Sequence, residues 1–358
     1  MADAYTTTTA LDFSTKAYQR LFYPALRPEL MYDQLADVFA TQQSHPGSSV
    51  QFNIFNDLTI ASSPLNETQD VSAVAASDST VTATLNEYGN VILRTKALQG
   101  TSFIEIDPAL ANLLAFNAAV SIDEVAKNIV QAGTNVSYGG TETARTSITA
   151  GDTITAHNIR YVRAFLARNN AMKWITGQGG GAVPTSNAGE SMSFDALLQN
   201  PGTGWYAAMV HPDVALDIRE QSGSGAWRVP QEYAGAANGA GFTSGVWSGE
   251  IGAFEGFRFV ENSRAPFFAN GGASSQNVYG TLFFGREAIL KIWATVEGNG
   301  PVPQMVESPI TDRLRRFRPI GWYWFGAYGV FRQNNLYRYE TSSSIGGTLS
   351  TEDPPIDQ

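Results

Sequence analysis

Residues 107–133, Asp107-Pro108-Ala109-Leu110-Ala111-Asn112-Leu113-Leu114-Ala115-Phe116-Asn117-Ala118-Ala119-Val120-Ser121-Ile122-Asp123-Glu124-Val125-Ala126-Lys127-Asn128-Ile129-Val130-Gln131-Ala132-Gly133, carry the longest helical pattern in the chain. Asp107 stands where a cap is needed, Pro108 falls in the first turn and Gly133 marks the stop. Between them Leu110, Leu113, Leu114, Ala118, Ile122, Val125 and Ile129 recur at helical spacing. At 1.5 Å per residue the helix spans roughly 37 Å. A helix with one apolar stripe must lie across a sheet or another helix, so this one predicts a body to rest on. The spacing of Asp123 and Lys127 also predicts an exposed ion pair, worth a few tenths of a kcal/mol.

Towards the N-terminus the period changes from helical to two. Val50, Phe52 and Ile54 alternate with Gln51, Asn53 and Phe55 after the turn signal His45-Pro46-Gly47, which predicts a strand. A second alternating run from Thr80 to Thr95, broken at Tyr88-Gly89-Asn90, is its expected partner. Between the two, residues 62–79 are small, polar and acidic, with Leu65 and Val71 the largest apolar side chains, too little to bury a core of their own. The whole reads as a long hairpin projecting from the body. Residues 1–45 are scattered apolar positions interrupted by Pro24 and Pro28, which predicts an extended arm with short helical pieces, one of them over Tyr32 to Ala40.

Towards the C-terminus, Thr155 to Asn169 predicts a second amphipathic helix with Ile159, Val162 and Leu166 on one face. Gly177 to Gly189 is glycine-rich and reads as a loop or subdomain boundary. Ala207 to Val210 is a short apolar run, His211-Pro212-Asp213 opens a helix through Arg219, and Ser222 to Gly245 is again rich in glycine. Phe257 to Glu261 after the Glu255-Gly256 turn, Gly280 to Phe284, Trp322 to Tyr328 and Leu336 to Tyr339 are strand candidates. A Ser/Thr/Gly/Pro tail follows, expected to be weakly held from Thr341 onward. No internal repeat is visible. The pattern is that of a loop-rich α+β protein.

Composition narrows the function. With 358 residues and 43% hydrophobic content the chain can build two or three linked subdomains. Its 33 acidic against 23 basic residues give a formal net charge of -10, which repels phosphates as a whole and argues against sequence-specific DNA binding. The absence of cysteine removes disulfides, thiolate metal sites and thiol nucleophiles, and suits a protein assembled in reducing cytoplasm. No export signal is expected from the polar, threonine-rich start. No window approaches the roughly 20 uninterrupted apolar residues that a bilayer span requires, so no membrane partner is expected.

Motifs for catalysis are few. His45, His157 and His211 lie in unrelated segments and make no metal pair, so no metal or cofactor is expected. His211 with Asp213 and Asp217 resembles an acid/base cluster, yet His-Pro-Asp is better read as a helix start. Gly177-Gln178-Gly179-Gly180-Gly181-Ala182 meets a loose dinucleotide spacing, but Pro184 follows and no helix is there to cradle phosphate. The pair Glu250 and Glu255 has glycosidase chemistry in principle, though 33 acids make chance pairs common. The single basic run, Arg313-Leu314-Arg315-Arg316-Phe317-Arg318, reads either as a contact for packaged DNA or an acidic neighbour, or as a solvated strand.

The order of these parts, an arm, a projecting hairpin, a long helix, an α/β body with a glycine-rich region and returning aromatic strands, resembles the Hong Kong 97 capsid fold. Within that fold the chain is similar to the major capsid family typified by coliphage N-four. The segments carrying the likeness are Pro46-Gly47-Ser48-Ser49-Val50-Gln51-Phe52, Leu65-Asn66-Glu67, Leu85-Asn86-Glu87-Tyr88-Gly89, Val210-His211-Pro212-Asp213-Val214, Gly249-Glu250-Ile251-Gly252, Gly256-Phe257-Arg258-Phe259-Val260-Glu261 and Phe283-Phe284-Gly285-Arg286-Glu287-Ala288. The resemblance implies a structural subunit, not an enzyme, of an icosahedral tailed-phage head in the virion.

It further implies an N-terminal arm over residues 1–45, an E-loop over 46–100, a P-domain with the spine helix over 101–183, an A-domain over 184–275, a return to P-domain strands over 276–340 and a tail over 341–358. The implied partners are other copies of the chain in hexamers and pentamers, a separate scaffolding protein, a portal, a decoration protein, and double-stranded DNA held without sequence preference on the inner face. Interface residues expected on this basis are Phe52, Leu65, Glu67, Arg94, Arg313, Arg315, Arg316 and Arg318. One departure is legible. Some members of the fold weld subunits through a hairpin lysine, and no residue from Val50 to Thr95 is lysine. Two other readings stay open at this point: a carbohydrate-active or sugar-binding protein, suggested by abundant aromatic and acidic residues, and another virion component of the tail or decoration.

Overall fold

A computed structural model describes residues 32–42, 49–55, 58–62, 73–102, 106–175, 204–220, 227–229, 249–295, 300–307, 314 and 316–345. Along the chain run β1 (Ala36–Gln42), β2 (Ser49–Phe55), β3 (Asp78–Thr84), β4 (Asn86–Thr95), α1 (Lys96–Thr101) and α2 (Ile106–Gln131). Next come β5 (Val136–Tyr138), α3 (Ala156–Arg168), β6 (Trp174–Ile175), β7 (Gly204–Val210), α4 (Pro212–Arg219), β8 (Glu250–Phe254) and β9 (Phe257–Glu261). The order closes with β10 (Phe267–Phe268), β11 (Val278–Phe284), β12 (Ile289–Ala294), β13 (Gln304–Glu307), β14 (Phe317–Val330) and β15 (Leu336–Thr341). Two compact units divide these elements, one around residues 39–118 and 291–329, the other around 17–38, 119–290 and 330–358.

In the first unit the sheet runs β1-β12-β14-β13, with β4 also on β14. β14 is built for burial: Ile320, Trp322 and Trp324 fall on one face, and Trp324 is fully buried. β4 pairs with it over ten positions, from Phe317 opposite Thr95 to Gly326 opposite Asn86. The indole N–H groups find partners, Trp322 on Asn117 Oδ1 at 2.9 Å and Trp324 on the Gly300 carbonyl at 3.1 Å, as buried indoles must. Gly321 is required by the close strand approach, since a Cβ there would lie 2.6 Å from the Asn90 carbonyl oxygen. Here the hairpin expectation needs correction. The run from Thr80 to Thr95 is two strands split at Leu85: β3 pairs with β2, but β4 leaves for β14. The aromatic partner, more than two hundred residues downstream, buries more of β4 than β2 can.

In the second unit the sheet runs β5-β15-β11-β7-β9-β8, with β10 on β11 and β6 on β7. β11, Val-Tyr-Gly-Thr-Leu-Phe-Phe, is buried at every position, as a central strand covered on both faces must be. One core packs Ile159, Val162 and Leu166 of α3 and Val214 and Ile218 of α4 against Tyr206, Phe257, Phe259, Phe283 and Tyr337 of the sheet. Phe257 meets Phe283 edge-on at 4.8 Å, a geometry that adds to the area buried. The Glu255-Gly256 turn between β8 and β9 has φ of 48° and 83°, so both turn residues are left-handed.

Four local expectations differ from what is observed. α2 begins at Ile106, so Asp107 and Pro108 lie inside its first turn rather than Asp107 at the cap. Lys127 pairs with Glu124 at 2.6 Å rather than with Asp123, which is buried and points inward. Tyr32 to Ala40 is not a helix: a single 3-10 turn over Asp33–Leu35 leads into β1, which pairs with β12 in the sheet. The chain from Thr341 is firmly held through Ile345. Thr341, Ser342 and Ser343 are buried, Gln276 donates to Ser342 Oγ at 2.9 Å, and the Ser344 N–H and hydroxyl both donate to Asp217.

Candidate assembly interface

Among the described residues the hairpin β2–β3 is a sheet of two strands with no further strand paired to it. Register places Val50 opposite Ala83, Phe52 opposite Val81 and Ile54 opposite Ser79, which gathers the apolar side chains on one face. The other face, Gln51 with Thr82 and Asn53 with Thr80, is polar. Val50, Phe52 and Ile54 are half-buried and alternate with exposed neighbours. Beyond them apolar bulk stands in water: Phe55 is 79% exposed, Ile60 86% and Leu58 59%. A two-stranded ribbon is marginal alone, and the exposed Phe55, Leu58 and Ile60 beside it are apolar surface that calls for a partner.

A second feature lies at the far end of β4 and the start of β14. Arg94 sits directly opposite Arg318 in the antiparallel register, and the Lys96 N–H donates to the Arg316 carbonyl at 2.8 Å. Four cations are thereby drawn to one end of the sheet, with Lys96 and Arg316 exposed and Arg94 and Arg318 half-buried. Like charges facing across strands weaken pairing, so this end of the sheet is held by the rest of the β4–β14 ladder.

Of the expected interface residues, Phe52 is thus on the hairpin's apolar face, and Arg94, Arg316 and Arg318 are brought together by strand register. Leu65, Glu67, Arg313 and Arg315 lie outside the described residues, as do the glycine-rich stretch 177–189 and His45. Ile54, Val81 and Ala83 share the Phe52 face by register, although only Phe52 of that face was among the expected interface residues.

The residues screened for catalysis have structural roles. His211 caps α4, its Nδ1 accepting from the Asp213 N–H at 3.3 Å, and Tyr279 donates to Asp213 Oδ2 at 2.8 Å. Glu250 is paired with Arg258 at 3.5 Å, and Glu255 with Arg160 at 2.8 Å and Arg163 at 3.3 Å. Each carboxylate of the glycosidase-like pair is therefore tied to its own arginine. Among the described residues no group of three His, Asp or Glu side chains is placed to hold a metal, and no helix is long and apolar enough to cross a membrane.

Residues 16–338 match the family described as phage capsid protein. The chain belongs to the phage capsid protein family. The capsid protein is also similar in structure to the capsid of Ralstonia phage GP4, with a TM-score of 0.65 at 13% identity over 95% of this chain and 98% of that one. The capsid of cyanophage Pam1 aligns with a TM-score of 0.60 at 12% identity over 96% of this chain and 100% of that one. The head protein of Helicobacter pylori bacteriophage KHP40 gives 0.58 at 11% identity over 96% and 98%. No curated protein matches. The capsid protein therefore has the Hong Kong 97 capsid fold, mixed helix and sheet, and is a structural subunit of the phage head.

Proposed function

We propose that this capsid protein is the major shell subunit, closing as hexamers and pentamers of an icosahedral head around double-stranded DNA. The observation that carries the reading is the β2–β3 ribbon, which among the described residues pairs with no further strand and stands beside the exposed Phe55, Leu58 and Ile60. In this reading the ribbon is the E-loop within residues 46–100 and lies on a neighbouring copy. The arm over 1–45 also crosses to a neighbour, residues 101–183 and 276–340 build the P-domain around the spine helix α2, residues 184–275 form the A-domain at the capsomer axis, and 341–358 close the chain. Interfaces of over ~2,000 Å² are expected of such permanent assemblies. The segments resembling the coliphage N-four family support assigning the chain to that group within the fold.

The arginines at the end of β4 and β14, with Arg313 and Arg315 beside them in sequence, are interface groups in the same scheme, and Leu65 and Glu67 belong to the overlapping loop. A -10 subunit repels its copies, and a basic patch at the contact relieves that. Assembly takes place in the host cytoplasm with a separate scaffolding protein, and the shell receives a portal, a decoration protein, and DNA on its inner face. Electron microscopy of the expressed chain, alone and with its scaffold, should show capsomers or closed shells. The double variant Phe52→Asp/Ile54→Asp should abolish them while keeping the far-ultraviolet circular dichroism and melting temperature of the unassembled chain. Stable monomers from the unaltered protein under every assembly condition would overturn the reading.

A further inference from the structure

The spine helix contains one acid that its amphipathic pattern does not explain. Asp123 is 1% exposed, in the middle of α2, flanked by buried Ile122 and Ala126. Its Oδ1 accepts the peptide N–H groups of Tyr32 at 2.8 Å and Asp33 at 3.2 Å, while its Oδ2 is buried without a hydrogen-bond partner. Tyr32 closes the site, fully buried, with its own hydroxyl also unpartnered. The charged groups around the carboxyl are Asp33 on the seated segment, Glu124 and Lys127 on the helix, and Arg264 from the turn after β9. Arg264 and Lys127 are both spent on Glu124, each at 2.6 Å. The carboxyl group thus has no cation of its own.

We propose that Asp123 is a proton-controlled seat for the chain at Tyr32–Asp33: neutral, it holds the segment on the spine helix, and ionised, it loosens that hold. Burial is the main reason, since the seated segment is what shuts water out, and Asp33 brings a like charge with it. These outweigh the two peptide N–H groups and the Arg264 guanidinium, which favour the carboxylate, and the group is pushed up from 3.8 to about 6. Lifting the segment returns the carboxyl to water and towards its ordinary value. The sign follows from linkage: the seated state binds the proton more tightly, so seating strengthens as pH falls from about 6 towards 3.8 and weakens as pH rises through about 6. At neutral pH the seat is kept marginal. The proposal concerns the unit's own contacts and holds whether or not the preceding residues cross to a neighbour, which rests on the function proposed above.

The test is amide hydrogen exchange on the full-length chain, unassembled and in shells, across pH 5 to 8 with intrinsic rates corrected. Protection at Tyr32 and Asp33 should fall by about tenfold from pH 5 upward and level off above about pH 7, where the carboxyl is ionised whether seated or not. Asp123→Asn keeps an acceptor for both N–H groups without the charge, and should give high protection that does not change with pH. Asp123→Leu removes the acceptor and should leave both amides poorly protected at every pH. Protection in the unaltered chain that is flat across this range, or that rises with pH, would overturn the proposal, as would a pH dependence retained in Asp123→Asn.

Discussion

At the scale of single residues, what a side chain does is set by what the fold delivers to it from far away. Glu340 is fully buried and ion-paired with Arg145 at 2.7 Å through two parallel hydrogen bonds and with Arg338 at 2.7 Å. Removing its charge leaves two arginines beside β15 without their carboxylate, the case in which a buried pair matters most. Glu340→Gln should therefore destabilise the unassembled chain by about 3 kcal/mol or more in a urea titration, with no change in slope. Asp123 teaches the same lesson. Its spacing to Lys127 allows a surface pair, but a spacing rule has no means of knowing that Tyr32 will arrive from ninety residues upstream and bury it. The cluster at Arg94 and Arg318 was legible only as two separate basic positions, because register between strands is a property of neither strand alone.

At the scale of elements, periodicity was a good guide wherever one face is dry and the other wet. α2, α3, α4, β2, β9, β11 and β15 lie close to where the alternation of apolar residues puts them. The failures occur where an element's partner lies far along the chain. β4 was assigned to the hairpin and in fact pairs with β14, and the segment after Tyr32 became a strand because a sheet edge was there to receive it. The tail was misjudged for the same reason, since serine and threonine look dispensable until Asp217, Gln276 and Asp152 supply their hydrogen bonds. A chain ending at Glu340 should lose about 3 kcal/mol or more relative to one ending at Ile345, given several buried hydrogen bonds at roughly 1 kcal/mol each. Thermal denaturation of the two truncations side by side checks this.

At the scale of the whole molecule, an acidic, cysteine-free subunit must be held in its shell by surface complementarity rather than by disulfides. The hairpin has no lysine to donate to a covalent bond, so denaturing electrophoresis of intact heads should give a band near 38.6 kDa. A ladder of covalent oligomers is the contrary outcome. By itself the sequence determined the main helices, several central strands, their order and the α+β class, and showed no familiar catalytic motif, because these follow from local periodicity and from residue types that are present or missing. Only the tertiary structure decided which strand pairs with β4, which acid of the spine helix is buried, and that the arginines of β4 and β14 share one end of a sheet. Those depend on contacts between residues hundreds of positions apart, whose free energy exists only once the chain has closed on itself.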